Sequence, residues 1–159
     1  MKYGIDLFTI EDVLKICESP KLAKLESKAK KQITESYENV KKIIASERTV
    51  YGINTGFGPL CDTKISLEET ERLQHNLIIS HAVGVGKPIS KKLSKVMMIA
   101  KIHALSKGYS GVSLELVERL ILLLEKDIIP VVPEQGSVGA SGDLAPLAHM
   151  VLPLLGLGK

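Results

Sequence analysis

Apolar residues recur at steps of three and four through most of this chain, a spacing that leaves little room for anything but packed helices. Leu22, Leu25, Ala29, Ile33, Tyr37, Val40 and Ile44 fall on one side of a helix predicted over 22–44. Its other side carries lysines with acids among them, which reads as a solvated face. Thr9 and Asp12, three residues apart, start a short helix over 9–17. Ser66 and Glu69 repeat that spacing at the head of a helix that closes on Gly84 and Gly86. Two more run from Ser90 to Lys107, stopping at Gly108, and from Ser113 to Asp127. "IIPVVP", residues 128–133, must be extended, because proline disfavours helix in the residue before it. Its two valines are the one strand candidate, and there is no internal repeat or low-complexity tract. The fold class is therefore all-α, with helices joined by glycine-rich loops.

Length bounds the domain count. The 159 residues, 45% hydrophobic and 25% charged, suffice for one soluble domain over 1–159 and are too few for two. From Leu144 to Leu157 no Asp, Glu, Lys or Arg occurs and apolar residues occupy every side, so a helix there should be buried all round. The expectation is a front portion of a larger protein whose later helices complete the core. Basic residues exceed acidic ones by only 21 to 18, with no Trp and 4% aromatics, which argues against a nucleic-acid partner. Cys17 and Cys61 match no metal or redox spacing, and a reducing, cytoplasmic setting fits them. Asp6 interrupts the start before an apolar run can build, so a signal peptide is not expected, and no stretch is long enough to span a membrane.

The stretch with the most chemistry is "GSVGASGDLAPLAHM", 136–150. A phosphate-cradling P-loop would need Lys and Ser or Thr where Asp143 stands. "GVGKPI" has Ile89 in place of the third glycine of a dinucleotide fingerprint, and a helix precedes it. His75, His81, His103 and His149 form no zinc motif. What remains is a reaction of the backbone itself. A main-chain nitrogen can attack the carbonyl two residues back only in a very tight loop, and only if no side chain shields it, as at Gly142 behind Ala140. Loss of the Ser141 hydroxyl as water would then leave an exocyclic alkene on the new ring, an electrophile that no side chain matches. Asp143 could assist proton movements, but its place before Leu144, with Pro146 following, reads first as a helix cap.

That stretch closely resembles the signature of the aromatic amino acid ammonia-lyases, in which Ala-Ser-Gly cyclises to 4-methylidene-imidazol-5-one (MIO). "VYGINTGFG", "LQHNLIISHAVGVG" and "LSKGYSG" resemble further blocks of the family in the same order, so the likeness covers essentially the whole chain. It implies the predominantly helical N-terminal portion of the ammonia-lyase (fumarase/aspartase-like) fold, in a cytoplasmic homotetramer using no metal or nucleotide. The MIO would form from Ala140, Ser141 and Gly142. Tyr51, otherwise a packed loop residue, would take the β-proton; a phenol does so near neutrality only when positive neighbours or hydrogen bonds favour its anion. Ser80 and His81 resemble the pair of the histidine-selective members, which implies L-histidine as substrate and trans-urocanate as product, with His81 near the substrate imidazole. From spacing alone His81 lies toward the buried face and would be a core histidine.

His75, His103 and His149 read as structural, and Asn54 and Gly58 as residues that shape the tyrosine loop. The family's Arg-x-Asn before "LSKGYSG" and Arg after it are replaced here by Lys101, Ile102 and His103 and by Ser113, positions that resemble scaffold. The family's groups that hold the substrate carboxylate would lie beyond residue 159. The alternatives are a tyrosine or phenylalanine ammonia-lyase or aminomutase, and a truncated, non-catalytic helical module.

Overall fold

The computed structural model describes residues 1–46, 48–56, 65–138 and 144–159, with the backbone alone at Leu67 and Glu68. Gly58, Cys61 and the Ala140, Ser141, Gly142 and Asp143 stretch lie outside the described residues. Six α-helices are present among the described residues: α1 (Ile10–Glu18), α2 (Ser27–Ile44), α3 (Leu67–His81), α4 (Lys91–Leu105), α5 (Leu114–Glu125) and α6 (Leu144–Val151). Two short strands, β1 (Val85–Pro88) and β2 (Pro133–Gln135), pair with each other. The expected helical class holds. The chain divides into two compact units, one of Met1–Glu38 with Pro88–Val131 and one of Asn39–Lys87 with Val132–Lys159.

In the first unit α4 packs against both α1 and α5. Met98, Ile99 and Ile102 on one face of α4, and Val117, Leu120 and Leu124 at steps of three and four on α5, are buried with Ile16, Ala29 and Ile33. Burial of each large side chain contributes roughly 1.5–3 kcal/mol. Thr9 and Asp12 form a reciprocal capping box on α1, and the Ser90 and Ser113 hydroxyls accept the Leu93 and Leu116 N–H groups to cap α4 and α5. Gly108 ends α4 with φ +75°, and a Cβ there would lie 2.7 Å from the Gln32 carbonyl oxygen, so glycine supplies both the left-handed turn and the close approach.

Two boundaries differ from the sequence expectation. Leu22 is not in α2: Pro20–Leu22 form a 3-10 turn, Ala23 is extended (φ −107°, ψ 132°), and α2 begins at Ser27. Leu22 is 48% exposed. α5 ends at Glu125 because Asp127 takes a left-handed conformation (φ 58°) that lets the Ile128 N–H return to the Leu123 carbonyl. Asp127 also receives Lys91 and Lys95 at 2.5 and 2.8 Å, which hold its carboxyl below the usual carboxylate range.

In the second unit α3 packs on α6. Ser66 and Glu69 form the expected capping box, but α3 ends at His81, and the residues assigned to its glycine-rich tail form β1. β2 starts one residue after the expected valines, of which Val132 is buried. The apolar terminal helix is also shorter than its composition suggests. Pro153 has no N–H for the His149 carbonyl, so α6 stops at Val151, a 3-10 turn covers Leu152–Leu155, and Gly156 closes it at φ 72°. Within residues 1–159, Ala145, Ala148 and Met150 are buried, whereas Leu144 is 44% and Leu157 42% exposed. Among the described residues, no helix is long and apolar enough to cross a membrane.

Candidate active site

The second unit carries each of the described residues singled out by sequence for chemistry. Tyr51 sits in a tight turn in which the Ile53 N–H donates to the Val50 carbonyl at 3.1 Å. Gly52 follows it with φ +75°, and a Cβ there would meet nothing within 4 Å, so the glycine serves the backbone angle and not the space. The turn is tied down by Asn54, which is 2% exposed. Its Oδ1 accepts the Val50 N–H at 2.8 Å and its Nδ2 donates to the Arg48 carbonyl at 2.8 Å. The Asn54 carbonyl in turn accepts the Ile65 N–H at 3.1 Å, joining the loop to the residue before the α3 cap. Buried Thr55, which sequence reasoning passed over, donates its hydroxyl to the Gly56 carbonyl. Tyr51 itself, read from local sequence as a packed residue, is 63% exposed on this rigid turn.

Ser80 and His81 end α3. His81 is half-buried rather than turned into the core. Its Nδ1 lies 2.7 Å from the Leu77 carbonyl oxygen, which can only accept, so Nδ1 carries a proton, and in the neutral ring Nε2 is the acceptor. The Ser80 hydroxyl lies 3.2 Å from the same Nδ1 and 3.0 Å from the Leu77 carbonyl. The structure therefore brings Ser80 and His81 together around one helix-end carbonyl and fixes the imidazole tautomer.

Three residues beyond His81 the chain meets both flanks of the Ala140–Ser141–Gly142 stretch. The Gly84 N–H donates to His149 Nε2 at 2.9 Å, and a Cβ on Gly84 would stand 3.0 Å from that nitrogen, 3.1 Å from Pro133 Cβ and 3.2 Å from the Gln135 carbonyl oxygen. A Cβ on Gly136 (φ +139°) would reach to 2.9 Å from Gly84 Cα and 3.4 Å from Ala145 Cβ. Burial holds the His149 imidazole below its ordinary pKa, consistent with a neutral acceptor. His103, in the first unit, likewise accepts the Gly4 N–H at 3.3 Å through Nδ1 and packs on Phe8 with ring centres 4.2 Å apart. Among the described residues no group of three or more His, Cys, Asp or Glu side chains is placed to hold a metal ion.

The family model described as aromatic amino acid lyase matches residues 8–159. Histidine ammonia-lyase of Streptococcus sanguinis is 48% identical over 151 residues, which are 95% of this chain and 29% of that protein. Among solved structures, the chain is similar to histidine ammonia-lyase from Trypanosoma cruzi, with a TM-score of 0.82 and 36% identity over 99% of this chain and 30% of that one. It is similar also to tyrosine aminomutase from Streptomyces globisporus, with a TM-score of 0.88 and 29% identity over the same shares. The chain thus spans about 29% of the length of the curated relatives it matches. With the match running through nearly all of its residues, the chain belongs to the aromatic amino acid lyase family.

Proposed function

We propose that residues 1–159 are a single N-terminal region of a histidine ammonia-lyase, a carbon–nitrogen lyase that eliminates ammonia from L-histidine to give trans-urocanate. The observation that carries this reading is the 48% identity to the Streptococcus sanguinis histidine ammonia-lyase along 95% of the chain. Residues Ala140, Ser141 and Gly142 supply the sequence that an MIO requires. The described residues on either side of that stretch approach one another closely: a Cβ on Gly136 would lie 2.9 Å from Gly84 Cα and 3.4 Å from Ala145 Cβ. When formed, the MIO supplies an electrophile that no side chain offers.

The protein's own groups then bind the substrate and move protons. The hydroxyl of Tyr51, a residue 63% exposed on its braced turn, takes the β-proton of the substrate at Oη. His81 Nε2, an acceptor because Nδ1 is committed to the helix carbonyl, receives the substrate imidazole N–H, with Ser80 holding the ring. On this reading Asp143 would cap the helix after it or assist a proton transfer and Gly58 would help shape the tyrosine loop, in which Asn54 accepts the Val50 N–H. The full-length protein is a cytoplasmic homotetramer on this reading, which calls for no metal or nucleotide. An aminomutase is the second reading, favoured by the TM-score of 0.88 to the Streptomyces globisporus enzyme, though at 29% identity.

The test is the intact mass of the protein from its own cells together with urocanate formation from histidine. A mass two waters below the gene's prediction is expected, and Ser141→Ala, which has no hydroxyl to lose, should lack at least one of the two losses. A protein that retains both waters and yields no urocanate refutes the reading. Unchanged histidine turnover after replacement of Ser80 and His81 would favour the aminomutase or another substrate.

A further inference from the structure

We propose that His149 is a positioning residue: by accepting the Gly84 N–H it clasps the end of the Ser80–His81 helix to the two segments that flank Ala140–Ser141–Gly142. The inference rests on the functional reading above and adds a role which that reading does not contain. The geometry is specific. His149 and Gly84 are 65 residues apart in sequence, and the 2.9 Å bond between them ends on a ring nitrogen on α6, the helix that follows the Ala-Ser-Gly stretch. On the other side of that stretch, Gly136 comes so close to Gly84 that a Cβ would lie 2.9 Å from Gly84 Cα. Gly84 is therefore gripped from both sides of one loop, by a side chain after it and by backbone before it.

The grip has a chemical consequence. A main-chain cyclisation needs its nitrogen and carbonyl held at a separation shorter than an unconstrained loop keeps, and the entropy of that approach must be offset by contacts at the loop's ends. The same contacts tie the end of the His81 helix to both described flanks, because only Ala82 and Val83 separate His81 from Gly84. On this proposal His149 acts through Gly84 on both the formation of the ring and the seat of the substrate.

The experiment uses the full-length gene product and two readouts: hydrogen exchange at the Gly84 amide, and the time course of two-water loss by intact mass in freshly synthesised protein. His149→Leu removes the acceptor; His149→Gln offers an amide oxygen in its place. Expected is about tenfold faster Gly84 exchange and slower ring formation in His149→Leu, the loss of one hydrogen bond, with both recovered in His149→Gln. A His149→Leu protein with wild-type exchange and a wild-type time course overturns the proposal. Should His149→Leu not fold, Gly84→Ala crowds the same nitrogen, and unchanged ring formation in that variant overturns it equally. Wild-type protein that keeps both waters sinks the functional reading instead; the clasp is then decided by whether His149→Leu accelerates Gly84 exchange.

Discussion

Replacing Asn54 by alanine should unfasten the turn that presents Tyr51, and the structure sets the size of the effect. Asn54 is 2% exposed, and its amide satisfies two backbone groups, the Val50 N–H and the Arg48 carbonyl, each at 2.8 Å. Alanine leaves both without that partner in a partly buried setting. Each unsatisfied group costs about 1–3 kcal/mol, and partial access to water favours the lower end, so the pair should destabilise the second unit by about 2–3 kcal/mol. That corresponds to a fall of the urea midpoint by about 1 M at a typical denaturant slope. Asn54→Asp separates the two bonds: it keeps the acceptor for Val50 and sets a carboxylate against the Arg48 carbonyl, so it should fall at least as far as alanine. The assay is urea unfolding of the three proteins, followed by urocanate production by the full-length forms. A midpoint within about 0.2 M of wild type for Asn54→Ala would refute the reasoning, since two such bonds cannot be lost for less than ~0.5 kcal/mol.

Gly108→Ala should destabilise by more than about 2 kcal/mol, because the left-handed backbone alone accounts for ~1–2 kcal/mol and the new Cβ would meet the Gln32 carbonyl at 2.7 Å; thermal unfolding at wild-type temperature contradicts this. Ile102→Ala, at a fully buried site on α4, should lose about 2–5 kcal/mol in denaturant unfolding, and a loss under ~1 kcal/mol would mean that this face is not packed as described. Acid should weaken the fold through His103 and His149. Burial lowers both folded pKa values below the ordinary 6.5, so the unfolded chain binds protons first and stability declines as pH falls from about 6.5 toward those lowered values. Each ring accepts a backbone N–H when neutral, and a His103→Gln, His149→Gln double variant should flatten the decline in a pH series of unfolding midpoints.

What could be read from the sequence was what is decided locally. The Thr9–Asp12 and Ser66–Glu69 boxes form as their spacing requires, because both partners lie within one turn of each other. The start of α2 was legible only in part: Leu22 keeps the helical step, yet Pro20 and the extended Ala23 interrupt the backbone beneath it. β1 carries no alternation because all four of its residues are exposed, so its strand geometry comes from pairing with β2, more than forty residues away in sequence. The apolar run from Leu144 to Leu157 carries no mark of where its helix ends except Pro153, and the helix stops before it, at Val151. At the candidate site, the residue types at Tyr51 and Ser80–His81 stood out only through family likeness. The fixed tautomer of His81 and the Gly84–His149 bond depend on three-dimensional proximity that no local pattern encodes.

The close approach of Gly136 to Gly84 bears on anyone who would move the Ala-Ser-Gly loop between scaffolds. A graft cut at the ends of that loop carries Gly136 with it but leaves its counterpart behind, and a host with alanine at the position of Gly84 would crowd the incoming strand at Pro133 and Gln135, at 3.1 and 3.2 Å. The transferable module is therefore discontinuous: residues 133–149 and the short link after α3 must travel as one part. In a library that varies only the loop on a host with the wrong residue at 84, every clone carries that residue, and loops with the right chemistry would be discarded with the rest.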